Sequence, residues 1–347
     1  MEQGKIQKFR YKKDFPLESG GYLPEIDIAY HTYGRMNREK NNVIWVCHAL
    51  TSNSDVFDWW DGLFGENDLF NPRDFFIVCA NKIGSCYGST GPLSINPETG
   101  NPWYHSFPLI TVRDIVRSHE ILREHLCIES IYLLIGGSTG GQQVLEWAFM
   151  NPGLHKNIAP VATHARSSPW SIAFNQSQRL AVEADSTWNE SNPEAGLAGM
   201  LAARSIALLS YRNYNTYKST QSDDGEDKLG DYRAMSYQRY QGEKLVRRFN
   251  AFSYMSLLNT MDTHNLGRGR GGSEKALSGI KARTMVAGIN SDLIFPEEEQ
   301  IHLAESIPGA EFTSIDSLYG HDGFLIETNA LSRELGRFLG LKARVYV

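Results

Sequence analysis

The feature that most constrains this chain is a strand, a glycine-rich turn and a helix in direct succession. An apolar run over residues 131–135 predicts a buried strand, and apolar side chains at helical spacing follow it as far as Asn151. The turn between them reads Gly136-Gly137-Ser138-Thr139-Gly140, a G-x-S-x-G pattern. Between a strand and a helix this pattern predicts a nucleophile elbow, which lifts the serine hydroxyl clear of the sheet. An ordinary Gly/Ser-rich turn is the alternative.

Short apolar runs alternate with a helical pattern in the first half of the chain. Buried strands are predicted at residues 42–47, 75–80, 131–135 and 158–162, and a helix at residues 111–126. Two further runs, residues 6–11 and 26–33, predict an antiparallel hairpin. This alternation predicts the α/β class, with a mostly parallel sheet that is covered on both faces.

The pattern changes after Thr163. No buried strand is evident from about 165 to 270, where helices are predicted at residues 170–183, 193–209, 232–247 and 253–261. Alternation then resumes, with predicted strands at 284–289 and 312–315 and predicted helices at 296–307 and 323–339. We therefore expect a core formed by residues 1–164 and 275–347, and a helical lid inserted at residues 165–274.

Charge and cysteine usage exclude several classes of function. The chain has 34 basic and 40 acidic residues, a net charge of −6, which argues against a nucleic-acid or anionic-membrane partner. It has no apolar stretch long enough for a membrane span and no signal core near Met1. The four cysteines lack metal-ligand spacing, so no metal site is expected. A reducing cytoplasm is the expected location.

An elbow serine needs an acid and a histidine later in the chain, each following a strand. Asp292 follows the strand predicted at 284–289, and His321 follows the last predicted strand. Helix capping is the alternative role for Asp292, and an exposed loop position is the alternative for His321. Because all three residues stand in the right order at strand ends, we predict a triad of Ser138, Asp292 and His321.

Two backbone N–H groups are expected to stabilise the oxyanion. One is that of Thr139, directly after the nucleophile, and the other is that of Leu50, in the turn after an early strand. His48 in that turn is a rival base, but it precedes the elbow and is interpreted as structural.

Residues 267–272 match G-x-G-x-x-G literally. They follow a predicted helix instead of a strand, so a dinucleotide site is not expected. We interpret them as the flexible return linker of the insertion. The alternative is that Arg268 and Arg270 contact phosphates of an acyl carrier.

Several stretches resemble the homoserine O-acetyltransferase family, acyltransferases of methionine biosynthesis with the α/β-hydrolase fold. The resemblance covers nearly the whole chain, and the Gly-Ser-Cys loop is its most specific part. The matching stretches are Tyr30-His31-Thr32-Tyr33-Gly34, Val46-Cys47-His48-Ala49-Leu50-Thr51, Gly84-Ser85-Cys86-Tyr87-Gly88-Ser89-Thr90-Gly91-Pro92, Asn96-Pro97-Glu98-Thr99-Gly100, Thr111-Val112-Arg113-Asp114, Leu145-Glu146-Trp147-Ala148 and Tyr319-Gly320-His321-Asp322. Inside the predicted insertion, the matching stretches are Tyr211-Arg212, Tyr240-Gln241-Gly242-Glu243-Lys244 and Arg248-Phe249-Asn250-Ala251.

The resemblance implies a ping-pong transfer from an acyl-CoA, expected to be acetyl-CoA, to the side-chain hydroxyl of L-homoserine through a Ser138 acyl-enzyme. It implies that Arg212 binds the amino-acid carboxylate and that Asp322 binds the α-ammonium. It also implies small-molecule substrates, a homodimer formed through the lid, and no cofactor besides acyl-CoA as co-substrate.

The chain departs from the family beside the nucleophile. Thr139 stands where the family usually has Met, and Gln142-Gln143 replaces a commoner Met-Gln pair. We expect the Thr139 side chain to face the pocket, where it would affect acyl or acceptor preference. A succinyl donor, L-serine as acceptor, an esterase or thioesterase with the same triad, and a non-catalytic scaffold are the alternatives.

Overall fold

The computed structural model describes residues 4–341. Its main sheet has eight strands in the order β1-β4-β6-β5-β7-β8-β9-β10. These strands are β1 Gln7–Tyr11, β4 Ile26–Tyr33, β5 Val43–Cys47, β6 Phe76–Ala80, β7 Ile131–Gly137, β8 His155–Val161, β9 Arg283–Ile289 and β10 Glu311–Ile315. A separate two-stranded hairpin pairs β2 Phe15–Pro16 with β3 Tyr22–Leu23.

Six neighbouring strands of the sheet run parallel, in the spatial order β6, β5, β7, β8, β9 and β10. The strands β1 and β4 join the edge beside β6 as an antiparallel hairpin. The predicted α/β class, the mostly parallel sheet and the N-terminal hairpin are confirmed. Because parallel strands end at the same edge, the loops after β5, β7, β9 and β10 meet on one side of the sheet.

Twelve α-helices are described within residues 4–341, together with two 3-10 turns at Tyr104–Ser106 and Gly320–Asp322. They are α1 Val56–Trp59, α2 Val112–His125, α3 Thr139–Met150, α4 Pro169–Glu183, α5 Leu197–Tyr211, α6 Tyr214–Thr220, α7 Arg233–Val246, α8 Ala251–Asp262, α9 Ser273–Leu277, α10 Glu297–Ser306, α11 Gly323–Ile326 and α12 Thr328–Leu339. None of the helices in this part of the chain has the length and apolar character that crossing a membrane requires.

The prediction of one continuous closing helix at 323–339 is wrong, because the structure has two shorter helices there. The structure divides it at Glu327, whose backbone leaves the helical region at φ −84° and ψ 44°. The Glu327 carboxylate accepts a hydrogen bond from the Ser317 hydroxyl at 2.9 Å, in the turn after β10. The short helix α11 therefore stays beside the loop that follows the last strand.

The core has two layers because alternate residues of each central strand face opposite sides of the sheet. In β5, Val43, Trp45 and Cys47 pack into one cluster, while Ile44 and Val46 pack into the other. All five side chains are fully buried, which explains why the strand is a continuous apolar run in the sequence.

The segment between β8 and β9 is helical, as the sequence predicts, and contains α4 to α9. Helices α4, α5, α7 and α8 share a core of their own, which also includes Leu50 from the turn after β5. Helix α9 crosses the predicted boundary at residue 274. The division into two domains stays a prediction.

Residues 267–272 are anchored through both of their arginines. The Arg268 guanidinium donates to the Glu18 carboxylate at 2.9 Å, and Arg270 donates to Glu146 at 2.9 Å. Both guanidinium groups are paired with carboxylates of the core. This pairing favours a return linker over a phosphate contact as the interpretation of the loop.

Candidate active site

The turn between β7 and α3 has the strained geometry of a nucleophile elbow. Ser138 has φ 58° and ψ −124°, a backbone conformation that residues other than glycine rarely adopt. A Cβ atom at Gly140 would lie 2.0 Å from the Cys47 carbonyl oxygen, and one at Gly136 would lie 2.6 Å from the Gly140 backbone. Glycine at both positions therefore lets the turn pack against the end of β5.

Asp292 and His321 meet through a short hydrogen bond. The His321 Nδ1 lies 2.6 Å from Asp292 Oδ2, and the two residues are 3% and 5% exposed. The other carboxylate oxygen accepts the backbone N–H groups of Ile294 at 2.8 Å and Phe295 at 2.9 Å. This arrangement assigns the Nδ1 proton to the side facing Asp292, which leaves Nε2 able to accept a proton.

A cleft of about 70 Å³ contains both Ser138 and His321. The Ser138 hydroxyl makes no hydrogen bond to any of the residues at positions 4–341, and in sites without substrate the nucleophile–base contact is often loose. The other residues that line the cleft are Ala49, Leu50, Thr51, Ser52, Arg204, Tyr211, Asp322, Phe324 and Leu325.

Both predicted oxyanion donors lie beside the nucleophile. Thr139 opens helix α3, and Leu50 lines the cleft in the turn after β5. Within the described chain, neither the Leu50 N–H nor the Thr139 N–H donates to a protein group. Two N–H groups without acceptors, one of them at a helix N-terminus, can stabilise developing negative charge.

His48 cannot compete with His321 as the base. It is fully buried, its Nδ1 lies 2.9 Å from the Ala49 carbonyl, and its Nε2 accepts the Lys82 backbone N–H at 3.2 Å. Burial, with the charge of Lys82 nearby, holds the pKa of His48 well below its usual value. The imidazole therefore stays neutral and keeps the structural role predicted for it.

Arg212 does not line the cleft that contains Ser138. Helix α5 ends at Tyr211, and Arg212 has extended backbone angles that direct the chain away from the helix. It lines a neighbouring cavity of about 190 Å³ beside Tyr217 and Tyr319. Its guanidinium forms an ion pair with Asp322 at 3.0 Å.

Arg204 lies in the cleft instead, and sequence reasoning missed it. No carboxylate among the residues at positions 4–341 pairs with it, and its guanidinium carbon lies 5.3 Å from the centre of the Tyr211 ring. Tyr211 also lies beside His321, with ring centres 5.7 Å apart. The spacing of seven residues places Arg204 and Tyr211 on one face of α5, a signal that the sequence contained.

The Thr139 side chain lies behind the cleft, contrary to our expectation that it would face the pocket. Its hydroxyl is 3.2 Å from the Nζ of Lys82, a buried lysine that sequence reasoning also missed. The Thr139 carbonyl accepts the Gln143 side-chain amide at 2.9 Å. Thr139 therefore contacts the interior, and the pocket surface is formed by other residues.

Comparison with known proteins identifies the fold and the family of the chain. A sequence profile of the alpha/beta hydrolase fold matches residues 42–328. The chain is 48% identical over 330 residues to the homoserine O-acetyltransferase of Cyclobacterium marinum, which covers 95% of this chain and 94% of the relative.

Two solved structures share the fold. The homoserine O-acetyltransferase from Bacillus anthracis matches over 100% of both chains, with a TM-score of 0.90 and 23% identity. The acetyl esterase MekB matches over 97% of each chain, with a TM-score of 0.85 and 23% identity. The fold therefore occurs in both a transferase and a hydrolase and does not decide between them. The 48% identity to the Cyclobacterium marinum enzyme does decide: the chain belongs to the homoserine O-acetyltransferase family.

Proposed function

We propose that the protein transfers an acetyl group from acetyl-CoA to the side-chain hydroxyl of L-homoserine. One observation carries the proposal: a single cleft is lined by Ser138, by His321 and by Arg204, which pairs with no carboxylate among residues 4–341. The first two groups suit acyl transfer, and the third suits an acceptor that carries a carboxylate. The family to which the chain belongs supports the same reaction.

In the first half-reaction, Ser138 Oγ attacks the thioester carbonyl while His321 Nε2 takes the hydroxyl proton. The tetrahedral oxyanion is stabilised by the N–H groups of Leu50 and Thr139. The C–S bond then breaks, and His321 gives its proton to the departing CoA sulfur. The products are acetyl-Ser138 and free CoA.

In the second half-reaction, the side-chain hydroxyl of homoserine attacks the ester carbonyl of acetyl-Ser138, and His321 takes its proton. The second oxyanion collapses as the bond to Ser138 Oγ breaks, and the proton returns to that oxygen. Asp292 stabilises the imidazolium in both halves. The chemistry needs acyl-CoA as co-substrate and no bound cofactor.

Acceptor recognition is assigned to two side chains of the cleft. Arg204 would bind the carboxylate of homoserine, since a guanidinium offers paired donors to a carboxylate. Asp322 would bind the α-ammonium with the oxygen that Arg212 leaves free. Arg212, predicted from the sequence as the carboxylate ligand, would then act by orienting Asp322.

Intact-mass measurement tests the proposed function. Protein mixed with acetyl-CoA should gain one acetyl group on Ser138, and L-homoserine should discharge it faster than L-serine or water. Succinyl-CoA in place of acetyl-CoA tests the donor. Discharge by water at the rate seen with homoserine would make the protein an esterase, and absence of an adduct would exclude the acyl-enzyme.

The proposal includes a homodimer formed through the inserted helices, in the cytoplasm. Large apolar side chains are exposed on this segment, among them Tyr214, Met235 and Tyr240. Light scattering coupled to gel filtration measures the mass, and Met235→Glu should convert a dimer to a monomer if this face is the interface.

The free thiols of Cys47 and Cys79 suit a reducing compartment, which supports the proposed location in the cytoplasm.

A further inference from the structure

A buried lysine lies directly behind the candidate oxyanion hole. Lys82 follows β6 and is 1% exposed. Its Nζ donates to the Ala49 carbonyl at 2.9 Å and to the Thr139 hydroxyl at 3.2 Å, and it lies 3.5 Å from the Leu50 carbonyl. A buried ammonium is costly unless its hydrogen bonds are satisfied, so a lysine here needs a specific reason.

The first contact acts on one oxyanion donor through a covalent bond. The Ala49 carbonyl and the Leu50 N–H belong to the same peptide unit. A cation on the carbonyl polarises that unit and makes its N–H a stronger donor. His48 lies 2.9 Å from the same carbonyl through its Nδ1, which adds a second donor.

The second contact acts on the other donor. Thr139 carries the second N–H, and Lys82 binds its hydroxyl from the interior. Because Lys82 holds the Ala49–Leu50 peptide and Thr139 at once, it fixes the position of the two N–H groups relative to each other. Correct placement of such donors is a large part of oxyanion stabilisation.

We propose that Lys82 is a positioning residue of the oxyanion hole, whose ammonium polarises the Ala49–Leu50 peptide and holds Thr139 in register with it. The inference rests on the proposed function only in requiring that Ser138 accepts an acyl group. It applies whether the acyl group then passes to homoserine or to water.

The charge of Lys82 depends on pH. Burial lowers its pKa to about 7, since desolvation disfavours the ammonium form. The titratable groups near it stay neutral around this pH: burial raises the pKa of the Cys47 and Cys79 thiols, and lowers the pKa of His119 to about 3 and that of His48 well below its usual value. The ammonium contribution is therefore present below pH 7 and decreases above it.

Acylation of Ser138 by p-nitrophenyl acetate tests the proposal, because this activated ester needs neither CoA nor homoserine. Loss of a direct oxyanion donor costs roughly 10²–10³-fold, and Lys82 acts through a peptide, so Lys82→Met should slow acylation roughly 10–100-fold. The matched control is Ile83→Val, a buried neighbour that faces the core. It should acylate at the native rate, with circular dichroism to verify folding of both variants.

Two further readouts separate positioning from a general structural effect. The ratio of native to Lys82→Met acylation rates cancels every pH effect that the two proteins share and should decrease as pH rises through about 7. Isotope-edited infrared spectra of the acetyl-enzyme should show a higher carbonyl stretching frequency in Lys82→Met, because weaker hydrogen bonds polarise the carbonyl less.

Thr139→Val provides a second variant in case Lys82→Met does not fold. It removes the hydroxyl that Lys82 binds and should slow acylation in the native background, with a smaller effect when combined with Lys82→Met. Native acylation rates in both single variants, or a rate ratio that does not vary with pH, would overturn the proposal. If Lys82→Met slows acylation and homoserine fails to discharge the acetyl group, the proposed transferase function fails while the role of Lys82 stands.

Discussion

The two sides of the cleft are built differently. On the side of the sheet, Ser138, Asp292 and His321 follow β7, β9 and β10, and backbone hydrogen bonds fix the acid and the turn around it. On the side of the inserted helices, α5 contributes Arg204 and Tyr211, and the arginine is held by a cation–π contact alone among described residues. The sheet side is held by backbone hydrogen bonds, whereas the positions of Arg204 and Tyr211 depend on the single helix α5.

This difference separates chemistry from recognition. Strand ends hold reacting atoms in place because the sheet cannot shift without losing its core. A helix in an insertion can change its packing without disturbing the sheet, so it suits the residues that select a substrate. Changes to the triad should therefore reduce kcat, whereas changes on α5 should mainly raise KM. Asp322, in the turn after β10, is proposed to bind the acceptor and should also act on KM.

The largest effect is expected for Ser138→Ala. Removing the nucleophile from a hydrolytic triad costs about 10⁶-fold in kcat. Steady-state transfer from acetyl-CoA to homoserine, with intact mass to verify the absence of an adduct, measures this loss. Turnover within a factor of ten of native would remove Ser138 from the nucleophile role.

Asp292→Asn should follow, with a loss of about 10⁴-fold in kcat. Asparagine can keep the acceptor for the N–H groups of Ile294 and Phe295, so the turn should remain folded. Its amide would donate to Nδ1 of His321 and impose the wrong tautomer. A KM for homoserine close to native would place the whole effect on the chemical step, and a large KM change would argue against the separation of the two sides.

The arginines of the insertion test the other side. Arg204→Gln should raise KM for homoserine roughly 10–100-fold, since a charged hydrogen bond contributes about 1.5–3 kcal/mol. Arg212→Gln is the matched control, eight residues further along the chain and outside the cleft. It should have a smaller effect, because Asp322 loses an ion-pair partner but remains in the cleft. A larger KM change in Arg212→Gln would return the carboxylate site to Arg212.

The same contrast explains what the sequence could predict. Ser138, Asp292 and His321 could be located because parallel strands deliver their C-terminal ends to one edge, so order along the chain implies proximity. Arg212 was assigned by resemblance, and its position depends on where α5 ends. Since the helix stops at Tyr211, one residue decides whether a side chain continues along the helix face or leaves it.

Lys82 could not be predicted for a different reason. A single lysine after a strand is ordinarily exposed, and nothing in its own neighbourhood indicates burial. Its contacts with Ala49 and Thr139 join two loops and the start of α3, which are distant in sequence. Such an interaction depends on packing between loops, which local periodicity does not encode.

The smallest effect in the set is expected for Ser291→Ala, which loosens the sheet side without removing a reacting group. The Ser291 hydroxyl donates to the Ser317 carbonyl at 2.6 Å and accepts the Gly320 N–H at 3.0 Å. It thereby ties the turn that carries Asp292 to the turn that carries His321. Its loss should lower the free energy of unfolding by about 1–2 kcal/mol, measured by urea denaturation.

The same variant should reduce kcat only a few-fold, because His321 keeps its hydrogen bond to Asp292. KM for homoserine should stay at the native value, since Ser291 lies outside the cleft lining. Ser314→Ala, on the exposed face of β10, is the control for removing a hydroxyl from this edge. If Ser291→Ala raised KM and left kcat unchanged, the turns that carry Asp292 and His321 would act on acceptor binding instead of on the chemical step, and the division between the triad and α5 would not hold.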